Sequence, residues 1–214
     1  MLFVHIDKFL PYVLPYAEKC PQLVARRAIR DTIIDMAQRA GTSTLRCSLE
    51  TVAGQHTYEI DLPDGIEVDQ LDTLTIDGKA LKPINRDMLT SLYSNADWKS
   101  IPGEPQYFMS TDDPKVVTIV PAPTANGQKI SCELRLRFSR YAKEFPETYY
   151  ERYIETVTAG ALVRILGIPS QAFTDLAMAA QWAQIYAANI GEIQLDTMRD
   201  FTKESGHVVF RNVL

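Results

Sequence analysis

The three histidines of this 214-residue chain are its most versatile groups for catalysis or metal binding. His5 lies in an N-terminal segment, His56 in a predicted strand and His207 in the C-terminal segment. A surface or packing role is the default for isolated histidines, although each could in principle act as a base or a ligand. No Gly-rich phosphate loop and no GxGxxG, HExxH or GxSxG motif occurs. The sequence therefore predicts no catalytic site, no metal site, no cofactor and no enzymatic activity.

The three cysteines predict free thiols. Cys20, Cys47 and Cys132 lie far apart, their number is odd, and none belongs to a CxxC pair. This pattern argues against a disulfide framework and against a cysteine zinc site. We expect three reduced, mostly buried thiols, as in proteins made in a reducing compartment.

One stretch of the chain is rich in carboxylates. A divalent cation is conceivable there, because hard ions prefer carboxylate oxygens, but the spacing of a calcium loop is missing. A solvated surface is the favoured interpretation. The acidic residues are Glu59, Asp61, Asp64, Glu67, Asp69, Asp72 and Asp77.

Basic side chains cluster around the last predicted strand. They could contact phosphates or the carboxylates of a partner. They could equally protect a sheet surface from aggregation, and this interpretation is favoured. The residues are Lys129, Arg135, Arg137, Arg140 and Lys143. Tyr150 and Tyr153 follow at helical spacing and are predicted to lie at a core or interface edge, not to stack on bases.

Composition narrows the class of protein. A net charge of −5 with 46% hydrophobic and 23% charged residues is typical of a globular protein and excludes global disorder. No run of about 18 apolar residues predicts a transmembrane helix. Residues 1–6 are apolar but lack the preceding basic residues of a signal peptide. The mild acidity argues against a general nucleic-acid coat.

The N-terminal part predicts an arm followed by a helix. Residues 9–21 contain Pro11, Pro15 and Pro21 among apolar side chains, which predicts an extended arm that packs onto another surface. From Pro21 to about Ala40, apolar residues recur at helical spacing. Gly41 is a natural residue after the end of a helix.

The middle of the chain predicts strands. Residues 56–62, 71–76, 116–120 and 129–138 alternate or are rich in β-branched residues. Asp77 and Gly78 predict a two-residue hairpin turn. In the last strand Ile130, Cys132 and Leu134 should face inward with Leu136 and Phe138, which indicates an antiparallel sheet with one wet face.

The last third predicts two helices and a tail. Pro146 should open a helix that ends at Gly167, and a second helix should run from about Gln171 to Lys203. At about 1.5 Å per residue the second helix would be very long for this chain. Residues 207–214 then form an apolar tail with the composition of a strand.

These elements predict an α+β fold. An antiparallel bundle would combine the N-terminal helix with the two C-terminal helices and carry an inserted antiparallel β domain. The predicted units are residues 1–44 with 141–206 for the bundle, 45–140 for the β domain, and 207–214 for the tail. Apolar chain ends of this kind invite strand addition to another subunit, which favours a binding or assembly protein.

A series of short segments follows one another in a recognisable order. They are residues 9–16, continued by Cys20, Pro21, Leu23 and residues 28–30, and then residues 58–65, 74–83, 102–107, 120–123, 145–151 and 159–169. In this order they resemble the head–tail adaptor (connector) proteins of tailed phages, including the tail tubular protein A type. The resemblance covers about residues 9–200.

The resemblance implies a structural protein of the virion at the head–tail interface, made in the host cytoplasm. Such adaptors form a homo-oligomeric ring, typically of twelve copies, beneath the portal protein. The ring extends the channel for passing double-stranded DNA, without sequence-specific binding, and is a platform for the tail or nozzle protein. No membrane is involved.

By the same resemblance, the C-terminal tail would reach into the portal. The docking residues would be Val208, Val209, Phe210, Val213 and Leu214. Two alternatives stay open: another tail-completion or virion assembly component on the same scaffold, and a ligand-binding module or enzyme. An enzyme should show a pocket with convergent titratable groups of perturbed pKa.

Overall fold

The computed structural model describes residues 2–93, 101–110, 113 and 115–198, and it has the predicted α+β fold. The helices are α1 (Leu10–Val13), α2 (Gln22–Ala40), α3 (Arg86–Leu92), α4 (Thr148–Glu151), α5 (Ile154–Leu166) and α6 (Leu176–Met198). The strands are β1 (Phe3–His5), β2 (Thr44–Glu50), β3 (Thr57–Glu59), β4 (Ile66–Ile76), β5 (Lys79–Ala80), β6 (Lys82–Pro83), β7 (Tyr107–Ser110), β8 (Val116–Val120), β9 (Lys129–Phe138) and β10 (Glu144–Pro146).

Helix α2 forms where the sequence predicts it. Pro21 precedes its first residue, and Gly41 ends it with a left-handed φ of 63°. The predicted apolar face is buried, with Ile29, Ile33 and Met36 inaccessible to solvent. This face packs against α5 and α6.

Helices α2, α5 and α6 pack closely together at Gly160 of α5. A Cβ atom built on Gly160 would lie 2.4 Å from Thr32 Cγ2 of α2 and 2.7 Å from Tyr186 Cε2 of α6. Nearby, the hydroxyl of Tyr186 donates a hydrogen bond of 2.6 Å to Asp35 Oδ2. The three helices are therefore held together by a contact that only glycine permits and by a hydrogen bond to a carboxylate.

The N-terminal segment is not the extended arm that its prolines predicted. Residues Ile6–Phe9 and Leu14–Tyr16 form 3₁₀ turns on either side of α1. Pro11 and Pro15 are the second residues of α1 and of the following 3₁₀ turn, within the first turn, where a missing N–H costs no hydrogen bond. Phe9 and Val13 are fully buried in the chain's own core. The segment therefore packs against the core of its own chain.

The first large sheet has the strand order β2-β9-β4-β5, and all its pairs are antiparallel. The central strand β9 has the predicted bounds and the predicted inward face, from Ile130 to Phe138. The hairpin at Asp77 and Gly78 also forms, with φ of 47° and 80°, and pairs Ile76 with Lys79. The alternation of apolar and polar residues therefore predicted β9 and its buried face correctly.

The second large sheet has the order β3-β8-β7-β6. Its pairs are antiparallel except that β6 runs parallel to β7, with Lys82 opposite Tyr107. Helix α3 packs beside it around Leu89, Met109 and Val120, which form a small separate core. Asn85 caps α3 by accepting a hydrogen bond of 2.7 Å from the Met88 N–H.

A third, two-stranded sheet ties the N-terminus to the chain after β9. Phe3 of β1 lies opposite Pro146 of β10, and the Ile6 N–H donates to the Lys143 carbonyl at 2.8 Å. Pro146 therefore ends an edge strand and does not open a helix, which corrects the prediction. The predicted helix is instead divided into α4 and α5 by Tyr153, whose φ of −118° and ψ of 17° are not helical.

Helix α6 begins later than predicted. Residues 171–175 form a non-helical turn instead, in which Thr174 Oγ1 accepts a hydrogen bond of 2.9 Å from the Gln171 N–H. Asp175 then caps α6 by accepting a hydrogen bond of 2.9 Å from the Met178 N–H. The predicted end of this helix and the tail at 207–214 lie outside the described residues.

Two of the three cysteines are joined, so the prediction of three reduced thiols is wrong for Cys47 and Cys132. They face each other on β2 and β9 and form a disulfide with a Cα–Cα distance of 5.3 Å. The pairing escaped prediction because 85 positions separate the two residues, and only strand pairing brings them together. Cys20 is a buried free thiol as predicted, and burial raises its pKa.

The main buried core runs from the N-terminal segment through α2 and β9 to α6. It contains residues from both predicted units, for example Ile29 and Leu134. The division into a bundle domain and an inserted β domain stays a prediction. Among the described helices, none is long and apolar enough to cross a membrane.

Replacing Gly160 by Ala should destabilise the fold by about 1–3 kcal/mol, because the added methyl group must displace Thr32 and Tyr186. Gly191 of α6 is the matched control, since a Cβ there meets nothing within 4 Å. Gly191→Ala should be neutral or stabilise by up to about 1 kcal/mol. Urea denaturation measures both, and equal effects at the two sites would contradict the close contact.

Removing the disulfide should lower stability by about 2–4 kcal/mol, because the open chain gains entropy when unfolded. The variant Cys47→Ser/Cys132→Ser should unfold at the same urea concentration as the reduced wild type. A reducing agent should not affect this double variant. If reduction leaves the wild-type midpoint unchanged, the two sulfurs are not bonded in the protein.

Candidate functional site

A cleft of about 840 Å³ crosses the outward side of α2. Residues 140–141 and the end of α5 form its other walls. Its lining contains one acid, Asp31, and five arginines, which are Arg26, Arg27, Arg30, Arg140 and Arg164. We call this surface the arginine cleft.

Three of these arginines are held in place by the fold. Arg26 Nε donates to Asp7 Oδ1 at 2.5 Å, which ties α2 to the N-terminal 3₁₀ turn. Arg30 Nε donates to the Ala142 carbonyl at 2.8 Å, which fixes the chain after β9. Arg164 Nε donates to Thr32 Oγ1 at 3.2 Å, and its guanidinium lies 3.8 Å from Asp35 Oδ2. These arginines therefore also position the walls of the cleft.

The contact with Arg26 changes the titration of Asp7. The hydrogen bond from Arg26 is the main cause that lowers the pKa of the Asp7 carboxyl group, and the positive charge of Arg26 adds to it. The pKa of Arg26 is raised by the same hydrogen bond. Both groups are charged at neutral pH, so their charges offset each other locally.

The other two arginines leave positive charge at the surface. Arg27 is 77% exposed and lies 3.7 Å from Asp31, a weak contact in water. Arg140 is exposed, and no ion pair joins it to another described residue. Beside them, Leu23 and Tyr141 are 76% and 86% exposed. A partner with carboxylates or phosphates next to apolar groups would complement this surface.

The predicted basic stripe is divided by the structure. On β9, Arg137 lies 2.6 Å from Glu67 and Arg135 lies 3.7 Å from Asp72, both on β4. These pairs lie on the wet face of the sheet, and protection of that face from aggregation stays a prediction. Arg140, by contrast, belongs to the arginine cleft.

The acidic run provides sheet contacts. Glu67 and Asp72 pair with the arginines of β9, and Asp77 accepts hydrogen bonds from the Lys129 N–H at 2.9 Å and from Gln128 Nε2 at 3.1 Å. Within the described part of the chain, no three His, Cys, Asp or Glu residues are grouped as metal ligands would be.

The histidines lie on separate elements. His5 Nδ1 accepts a hydrogen bond of 3.3 Å from the Asp7 N–H and so caps the first 3₁₀ turn. His56 precedes β3, where its carbonyl accepts from the Ile119 N–H at 2.8 Å. His207 lies outside the described residues, as do all five predicted portal-docking residues.

Tyr150 and Tyr153 are partly buried and pack against the edge of the core, as predicted, and their neighbour Tyr149 lies within it. Tyr149 is fully buried, its hydroxyl lies 2.9 Å from Thr42 Oγ1, and burial raises its pKa. Tyr150 packs edge-on against Phe9 and Tyr12. These contacts attach the N-terminal segment to α4.

The sequence alone did not identify the arginine cleft. Arg26, Arg27 and Arg30 lie within the helix predicted from Pro21 to about Ala40, and the sequence predicts Arg140 only as part of the basic stripe. Their spacing on one side of a helix was the available signal. The contribution of Arg164 required the packing of α5 on α2, which no local pattern reveals.

A family model described as "SU10 adaptor protein" matches residues 15–208. The chain belongs to the SU10 adaptor protein family. Membership indicates a structural adaptor role in a phage particle, and hence a virion component. No curated protein matches the sequence. The finer assignment to the tail tubular protein A type stays a prediction.

Replacing Arg26 by Gln should raise the pKa of Asp7 toward its ordinary value of 3.8, because the main interaction that favours the carboxylate is removed. Arg27→Gln is the matched control and should leave the pKa of Asp7 unchanged. A lowered pKa stabilises the fold above the unfolded-state pKa, and this contribution disappears as pH falls through the folded-state pKa. The stability difference between wild type and Arg26→Gln should therefore shrink below about pH 4.

An NMR titration of the side-chain carboxyl carbon measures the pKa of Asp7 directly. If Asp7 titrates at the same pH in the wild type and in Arg26→Gln, the ion pair across the edge of the cleft does not form in solution.

Proposed function

We propose that this protein is the head-to-tail adaptor of a tailed phage. Copies of the chain, twelve in the simplest expectation, form a closed ring under the portal protein. The ring extends the channel for double-stranded DNA without reading its sequence, and presents a platform for the tail or nozzle protein. The protein is made in the host cytoplasm and resides at the head–tail interface of the virion.

The family match over residues 15–208 is the observation that carries this proposal. It covers most of the chain, including helices α2 to α6 and both large sheets. Adaptor function needs surfaces that bind other proteins and no reaction centre. The arginine cleft, with its exposed tyrosine and leucine, has the composition of a protein-binding surface.

Docking to the portal is assigned to the C-terminal tail. Val208, Val209, Phe210, Val213 and Leu214 supply five apolar side chains among the last eight residues. Burial of one Val or Phe side chain contributes roughly 1.5–3 kcal/mol before the cost of ordering the tail. Weak single contacts repeated around a ring would give strong total binding. Strand addition and insertion into a hydrophobic slot are the two available modes.

Deleting residues 207–214 should abolish binding to the portal while leaving thermal stability unchanged. Mass measurement should find the wild type as a monomer or a mixture when alone and as a ring with the portal, because a template brings weak subunit contacts together. The truncated chain should stay unassembled in both conditions. Co-sedimentation with the portal provides a second readout.

A full-length variant with Val208→Ser, Phe210→Ser and Val213→Ser is the control for chain length. It should lose portal binding like the truncated chain. If truncation lowers thermal stability while the remaining folded protein still binds the portal, the tail belongs to the core and does not dock. A wild type that stays monomeric with the portal would contradict the adaptor function itself.

A further inference from the structure

The outward side of α6 differs in character from the rest of the surface. Its 23 residues include no lysine and no arginine. Ile185 and Leu195 are 45% and 52% exposed, and Glu192 and Asp196 are exposed near them. At helical spacing, Ile185, Ala188, Glu192, Leu195 and Asp196 follow one side of the helix. We call these five residues the acidic helix face.

The opposite side of α6 is committed to the chain's own core. Tyr186, Ile190 and Ile193 are buried there, and the Tyr186 hydroxyl bonds to Asp35 of α2. Gln194 Nε2 also donates to the Arg39 carbonyl at 2.7 Å. The helix therefore cannot rotate to bury Ile185 and Leu195 without breaking these contacts.

The arginine cleft complements the acidic helix face. The cleft has positive charge at Arg27 and Arg140 beside the exposed Leu23 and Tyr141. The helix has negative charge at Glu192 and Asp196 beside exposed aliphatic groups. No residue of α6 lines the cleft, so one chain presents both surfaces at the same time.

We infer that the arginine cleft of one copy binds the acidic helix face of the next copy. Two different surfaces in contact make a head-to-tail interface, which generates a ring when the rotation between copies closes. This inference rests on the proposed function and identifies the surfaces through which its ring assembles.

A second copy of the chain explains the cleft better than DNA does. The lining of the cleft also contains apolar groups, from Leu23, Val24, Tyr141 and Ile168. A phosphate backbone binds charged and polar groups and would leave these apolar groups without a partner. Tyrosine and arginine side by side are typical of the centre of protein interfaces. The chain is also acidic overall, with a net charge of −5, which disfavours DNA.

Two charge-reversed proteins test the interface. The first carries Arg27→Glu and Arg140→Glu in the cleft, and the second carries Glu192→Arg and Asp196→Arg on α6. Each alone should assemble at least about tenfold more weakly than the wild type at low salt, because like charges would meet at every contact. An equimolar mixture should assemble again, because each reversed surface then meets one of opposite charge.

Mass measurement with and without the portal is the readout for each protein and for the mixture. Lys82→Glu with Arg86→Glu is the control, because both residues are exposed and lie outside the two surfaces. Circular dichroism should show that every variant is folded. Recovery in the mixture cannot come from unfolding, so it would support this pairing of surfaces.

The remaining outcomes overturn the inference in distinguishable ways. If the wild type and both charge-reversed proteins assemble equally well, the ring does not form through these two surfaces. The proposed adaptor function is not contradicted by that result. If the wild type does not assemble even with the portal, both the proposed interface and the proposed adaptor function are wrong. If cleft reversal leaves assembly intact but abolishes retention on double-stranded DNA, the cleft binds nucleic acid and not a second copy.

Discussion

The contact of α5 with α2 and α6 at Gly160 is the constraint on which the rest of the structure depends. With no side chain at this position, Thr32 and Tyr186 come close to the α5 backbone, and Tyr186 reaches Asp35. The same approach brings Arg164 to Thr32 and to the edge of the cleft. Because α6 is held from one side, its other side remains at the surface. The packing of α5 and α6 on α2 thus sets the relative placement of the arginine cleft and the acidic helix face.

Local sequence patterns predicted those helices, strands and turns that are determined by residues close together in the chain. The alternation in β9, the Asp77-Gly78 turn and the apolar side of α2 all agree with the structure, because each follows from side-chain spacing or backbone preference. The extended arm predicted for residues 9–21 is wrong, because Pro11 and Pro15 are as compatible with the start of a helical turn as with an extended chain. Burial of Phe9 and Val13 by distant helices decided between the two.

Features that depend on pairing across the chain could not be predicted. Cys47 and Cys132 meet only because β2 adds to the edge of β9, and neither residue carries a local signal of this pairing. The arginine cleft combines α2, the chain after β9, and α5, so its charge becomes visible only when these elements are packed. The adaptor family could be predicted from the sequence, because the resemblance depends on many short segments in order and not on a single site.

Cryo-electron microscopy of the purified protein mixed with its portal tests the adaptor function most directly. We expect a closed ring of this chain, coaxial with the portal, with an open channel wide enough for double-stranded DNA and C-terminal density entering the portal. Single copies bound at scattered positions, a ring that is off the portal axis, or no added density would contradict it.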